Sequence, residues 1–134
     1  MAQITPTPIL MSASTLKIGA DNFEFSVSSA QFAPTTPVVV FKGIGGNSIP
    51  IAGTTDWILN LGYPQDFAAA GSLANKLLNS AGTVVVVDLY PKAGGPGYRA
   101  SVLLKPGPIG GDVDALLAGT VALEVQGQPA LIAP

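Results

Sequence analysis

In "PGPIGGDVDALL", residues 106–117, two carboxylates, Asp112 and Asp114, stand two positions apart behind a glycine pair. Paired carboxylates can hold a divalent cation or divide acid and base work, provided other groups complete the site. A calcium loop needs further oxygen ligands at fixed spacings and a closing Glu. Here the chain continues "ALLAGTVALE", with no carboxylate before Glu124. Glycosidase-type catalysis needs two carboxylates across a cleft with their pKa values driven apart, and neighbours at i and i+2 do not by themselves supply that. A turn accounts for the pattern: Pro108, Gly110 and Gly111 reverse the chain, and Asp side chains accept hydrogen bonds from nearby backbone N–H groups.

The other candidates for chemistry fare no better. "GIGGN" (43–47) looks like a phosphate loop, but Asn-Ser-Ile-Pro (47–50) follows its last glycine. A Walker loop requires Lys-Ser/Thr there, and a dinucleotide fingerprint requires a helix that Pro50 opposes. Ser and Thr are abundant, yet the chain has no His and no Cys, and its six Lys/Arg are scattered. A nucleophile therefore lacks its usual base, and neither the commonest metal ligand nor a thiolate is present. No catalytic residue, metal or cofactor is expected. Trp57, with Tyr63, Tyr90 and Tyr98, could line a sugar-binding face, although Trp57 also fits an anchor inside an alternating strand.

Composition points elsewhere. Of 134 residues only 10% are charged and 48% are hydrophobic, with a net charge of −2. Ordinary soluble domains carry about 25% charge. The apolar residues are spread along the chain in strand-length runs, short of the ~20 needed for a membrane helix. "MAQITPTPILMSAS" has no basic segment followed by an apolar run, so no secretory signal is expected. A chain so poor in charge is expected to cover part of its surface with other subunits. Scattered bases make no phosphate-binding stripe, so tight nucleic-acid binding is not expected.

The elements that must position these residues are mainly β. "FEFSVS" (23–28), "DWILNL" (56–61), "YRASVLLK" (98–105) and "TVALEVQ" (120–126) alternate apolar and polar residues, the signature of half-buried antiparallel strands. "TLKI" (15–18) is a further short strand. "VVVFK" (38–42) and "TVVVVDLY" (83–90) are continuous apolar runs, expected to be buried on both faces. One amphipathic helix is expected at about 66–81, with Phe67, Ala70, Leu73, Ala74, Leu77, Leu78 and Ala81 at helical spacing. Asp66 could cap it, or Ser72 a shorter version, and Gly82 suits its end. The expected fold is an antiparallel β-sandwich or barrel flanked by that helix, one domain over 14–134 with an N-terminal arm over 1–13. Residues 43–56 are expected to form a loop without secondary structure, of a length usually functional. Arm and loop carry Ile4, Ile9, Leu10, Met11, Ile44, Ile49 and Ile51, which solvent does not favour, and these are the expected assembly contacts.

Several ordered features carry a resemblance. "W-x-L-x-L-x-x-x-Q-D" joins Trp57, Leu59, Leu61, Gln65 and Asp66; "GSL" (Gly71–Leu73) leads to "N-x-A-G" (Asn79–Gly82). "PKAGGPGY" (91–98) and "PGPIGGDVDALLAGTVALEVQGQP" (106–129) follow. Over about residues 14–132 the chain resembles the major tail, or tail tube, proteins of long non-contractile-tailed bacteriophages. That resemblance implies a small β-sandwich or barrel flanked by a helix. It also implies polymerisation into stacked hexameric rings that form a conduit for viral DNA during ejection. The expected partners are further copies of the chain, other tail proteins and transiently passing DNA, with no membrane insertion. The expected location is the virion tail, assembled in the host cytoplasm. The moderate 43–56 loop departs from the family pattern and leaves open which segment bridges successive rings.

DNA must slide through such a tube without sticking, so the lumen should be polar and neutral to acidic. Glu24, Ser26 and Ser28, with Thr120, Glu124 and Gln126, are the lumen candidates. Two rival readings stay open: another virion module, such as a capsid decoration or tail-completion part, and a carbohydrate-binding β-sandwich.

Overall fold

The computed structural model describes residues 3–23, 27–68, 71–92 and 94–133. The described residues form nine strands and one helix: β1 (Thr15–Ile18), β2 (Asp21–Asn22), β3 (Ser29–Thr35), β4 (Val38–Lys42), β5 (Ser48–Ala52), β6 (Asp56–Pro64), α1 (Leu73–Asn79), β7 (Val84–Tyr90), β8 (Gly97–Leu103) and β9 (Ala118–Ile132). Seven strands make one sheet in the order β2-β1-β7-β8-β9-β6-β3, and β4 and β5 pair as a separate hairpin. Every pairing between named strands is antiparallel.

Register explains why the alternating residues meet. Across β3, β6 and β9, Ala30 faces Leu61 and Val121, and Phe32 faces Leu59 and Leu123. On the other side of the sheet the same strands place Gln31, Asn60 and Ala122 in one rung. Leu59, Leu61, Leu123, Val87 and Val102 are fully buried in a single core cluster. Each such side chain stabilises the fold by about 1.5–3 kcal/mol relative to exposure.

The sheet rolls. β1 and β3 stand five places apart in strand order, about 24 Å in a flat sheet. Yet Leu16 of β1, Leu89 of β7 and Ser29 and Ala30 of β3 line one recess of about 360 Å³. The apolar faces thus close around a shared interior, an open barrel whose seam lies between β3 and the β1–β7 side. The mainly β, helix-flanked architecture is the one expected.

The helix is shorter than the expected 66–81. Ser72 is the N-cap, accepting from the Asn75 N–H at 3.4 Å, and the helix runs Leu73–Asn79. Asp66 instead accepts from the Ala68 N–H at 3.1 Å in a local turn, and Gly71 between the two candidate caps disfavours helix. Leu73, Ala74 and Leu77 face the core, whereas Phe67, Leu78 and Ala81 are exposed. Gly82 takes a left-handed φ of 87° and donates to the Leu104 carbonyl, turning the chain into β7.

Three other expectations are corrected. "VVVFK" is a strand, but all its residues are exposed, because among the described residues β4 pairs with β5 alone. β7 is buried on one face only: Val87 and Leu89 point inward, while Val84 and Val86 face out. An apolar run shows that burial is favoured without showing which chain supplies it. Residues 43–56 are not a bare loop, since β5 occupies Ser48–Ala52. Pro50 within it lacks an N–H, which suits an edge strand. In "FEFSVS", Phe23 is buried, but Val27 and Ser28 precede a strand that starts at Ser29, where pairing with β6 begins.

Candidate assembly surfaces

The β4–β5 hairpin is built by alternation on both of its faces. Its rungs are Val38–Ala52, Val39–Ile51, Val40–Pro50, Phe41–Ile49 and Lys42–Ser48. One face therefore gathers Val39, Phe41, Ile49 and Ile51, and the other Val38, Val40, Pro50 and Ala52, with the polar Lys42–Ser48 rung at its tip end. All ten are exposed. "GIGGN" supplies the tip: the Gly43 N–H donates to the Asn47 carbonyl at 3.0 Å, and Gly46 takes a φ of 87°. It leads into a strand, so it is a hairpin turn and not a phosphate cradle. At the base the Thr36 and Thr55 hydroxyls meet at 2.7 Å, and the Gly53 N–H donates to the Pro37 carbonyl at 2.7 Å. A lone two-stranded ribbon is marginal in water, and this one is wholly apolar on one face and, apart from the Lys42–Ser48 rung, apolar on the other.

Among the described residues, the N-terminal arm is hydrogen-bonded to the sheet side at its root. Ser14 donates through its hydroxyl to the Pro91 carbonyl at 2.7 Å, and Ser12 bridges to Lys92. Before that point Ile4, Ile9, Leu10 and Met11 are exposed, Leu10 at 81%. Ile44, at the hairpin tip, is exposed as well. The seven expected assembly residues therefore all lie at the surface, in two separate projections.

A third projection escaped the sequence reading. The connection from β8 to β9 exposes Ile109, Val113, Leu116 and Leu117, yet its root is tightly held. Gln65, only 7% exposed, donates through Nε2 to the Gly110 carbonyl at 3.1 Å and to the Ala118 carbonyl at 2.9 Å. Its Oε1 accepts from the Gly110 N–H at 2.8 Å, and its backbone N–H donates to the Leu117 carbonyl at 2.9 Å. Gly107 crosses the Tyr63 hydroxyl so closely that a Cβ would collide with it. Burial pushes the Tyr63 phenol above its ordinary pKa. Asp112 and Asp114 are exposed on this loop, Asp114 at a left-handed φ of 62°. Among the described residues no group of three or more His, Cys, Asp or Glu could hold a metal.

The outward face of the sheet holds the lumen candidates on β9. Thr120, Glu124 and Gln126 are exposed there, with Gln31, Asn60 and Ser101 on neighbouring strands of the same face. Asp88 and Arg99 form a cross-strand bidentate pair at 2.7 and 3.1 Å, and the carboxylate raises the guanidinium pKa further above its ordinary range. Ser28 is less free: its hydroxyl donates to the Gly62 carbonyl at 3.1 Å. Glu24 and Ser26 lie outside the described residues. The aromatic residues do not make one sugar-binding face. Tyr63 is buried, while Trp57 and Tyr98 meet at the other end of the barrel, in an apolar recess of about 450 Å³ with Phe32, Leu89 and Pro129.

No protein-family model and no curated protein sequence matches the chain. Its fold is similar to several solved structures. One is a chain of the sheath–tube complex of an extracellular contractile injection system, PVC, in the extended state (TM-score 0.65, 10% identity, 95% of this chain and 93% of that chain). Another is a chain of the anti-feeding prophage tube-terminating cap (TM-score 0.63, 11% identity, 100% of this chain and 97% of that chain). A third belongs to the tail of an empty gene transfer agent particle with C6 symmetry (TM-score 0.60, 12% identity, 81% of this chain and 83% of that chain). The fold is therefore that of tail and tube components of such particles, contractile injection systems among them.

Proposed function

We propose that the chain is a structural tail tube subunit, without enzymatic activity, that polymerises into stacked hexameric rings. The tube would be a conduit for viral DNA during ejection, located in the virion tail and assembled in the host cytoplasm. The observation that carries this reading is the β4–β5 hairpin, wholly apolar on one face, mainly apolar on the other and off the main sheet. Exposed contiguous apolar surface of this kind marks an interaction site, and the solved structures of similar fold come from tail and tube assemblies. The arm and the hairpin are among the contacts between copies. The polar face bearing Thr120, Glu124 and Gln126, together with Ser28 and the sequence candidates Glu24 and Ser26, lines the lumen. Its few charges suit DNA that must pass without being held.

Likeness to the tube-terminating cap favours a second reading, in which the chain completes a tail as one closing ring. A repeating subunit polymerises without limit, whereas a terminator stops at one ring. Deleting residues 1–12, which leaves the core untouched, is expected to give a folded chain that forms no tubes. Circular dichroism and electron microscopy of the same sample check this, and tubes like those of the full chain would remove the arm from the assembly.

A further inference from the structure

The 106–117 loop and the Trp57 recess are matched features at opposite ends of one barrel. Trp57 and Tyr63 sit on the same strand, β6, six residues and so about 20 Å apart. The loop springs from the Tyr63 end, where Gln65 and Tyr63 hold its root. The recess opens at the Trp57 end. Val113 and Leu116 on the loop are 90% and 85% exposed, although the root is ordered by four hydrogen bonds to Gln65. A segment held firmly at its base while presenting bare apolar side chains is pre-organised for an apolar receptor. The recess is such a receptor, lined by Phe32, Trp57, Leu89, Pro91, Tyr98 and Pro129 among others.

Resting on the tube reading, we propose that the 106–117 loop of one copy inserts Val113 and Leu116 into the Trp57 recess of the next. The contact is head-to-tail, and a head-to-tail contact between unlike surfaces propagates as a ring or filament instead of closing as a pair. One occupant then covers both exposed features, since each copy offers one loop and one recess. Charge agrees with this docking. Between Pro106 and Leu117 the only charges are Asp112 and Asp114, and exposed Lys92 follows Pro91 at the rim of the recess. Asp56 precedes Trp57 in sequence, so the docking requires the two carboxylates to seat on the Lys92 side. Gln65 is the positioning residue of this contact, since it touches only the root of the loop.

The chain has no cysteine, so introduced thiols report the contact without background. Val113→Cys and Gln128→Cys place one thiol on the loop and one at the lip of the recess. Within one copy they are separated by most of the length of β9, far beyond the ~7 Å Cα separation a disulfide can span. The double variant, oxidised after assembly, is expected to run as a ladder of covalent oligomers on a non-reducing gel. Each single variant is expected to stay largely monomeric. Tubes seen by electron microscopy without a ladder would overturn this contact and leave the tube reading standing. Efficient dimers from Val113→Cys alone would replace it by a loop-to-loop contact. A wild-type chain that never assembles would overturn both. A second variant, Leu116→Asp, is expected to keep the wild-type thermal midpoint and to lose tubes; tubes formed normally by it would also refute the contact.

Discussion

β7 and β4 are both valine-rich strands, and the fold treats them oppositely. β7, "VVVVDLY", lies between β1 and β8 and turns Val87 and Leu89 into the core. β4, "VVVFK", pairs with β5 in a separate hairpin and leaves Val38, Val39, Val40 and Phe41 exposed. The two runs carry the same demand for burial. In β7 the chain itself meets that demand on one face, and in β4 it meets it on neither. On the tube reading, the difference separates residues that hold one copy together from residues proposed to hold copies to each other.

Substitutions in the two regions should therefore fail in different assays. The largest stability effect is expected at the core: Leu77→Ala, fully buried on α1, should cost about 2–5 kcal/mol, and Val87→Ala about 1.5–3 kcal/mol. Val39→Ala on the hairpin should stay within about 0.5 kcal/mol in urea unfolding of the unassembled chain, while weakening tube formation. Equal destabilisation by Val87→Ala and Val39→Ala would abolish the distinction. An intermediate effect is expected for Gln65→Ala. It removes the partner of the Gly110 N–H and of two carbonyls at the loop root. Gly110 and Ala118 are exposed, so water can replace it, and the loss is about 0.5–1.5 kcal/mol, the net worth of a typical hydrogen bond. Faster amide exchange at Gly110 should report it, with exchange at the hairpin unchanged.

The smallest effect is a pH dependence. Burial raises the Tyr63 pKa in the folded state, so its contribution is fully present below the unfolded value of about 10 and fades as pH climbs through the higher folded value. Tyr63→Phe is expected to soften the alkaline fall in stability and to leave the neutral range nearly unchanged. An identical alkaline limb in both proteins would place the cause elsewhere.

Much of this was legible in the residues. The inward sets Leu59–Leu61, Ala100–Val102–Leu104 and Val121–Leu123 follow from period-2 alternation, because a strand with one wet face leaves no other arrangement. β3 was not legible: Ala30, Ala33 and Pro34 blur its alternation, and pairing with β6 defines it. The helix start had two candidate caps, and the local turn at Asp66 decided for Ser72. Gln65 stood in a recognisable motif, but its partners lie 45 and 53 residues away in sequence, beyond any local pattern. The exposed arm residues were found by the conflict between their apolar character and their proline-broken surroundings. The same conflict in the 106–117 loop was hidden by its two carboxylates, whose spacing first suggests metal or acid/base chemistry.

The central claim, that the apolar projections exist to join copies of this chain into a tube, is tested most directly by negative-stain electron microscopy of the concentrated wild-type protein. The account predicts hollow tubes of stacked rings, with sixfold symmetry in end-on views. A solution of single chains at every concentration examined would contradict it.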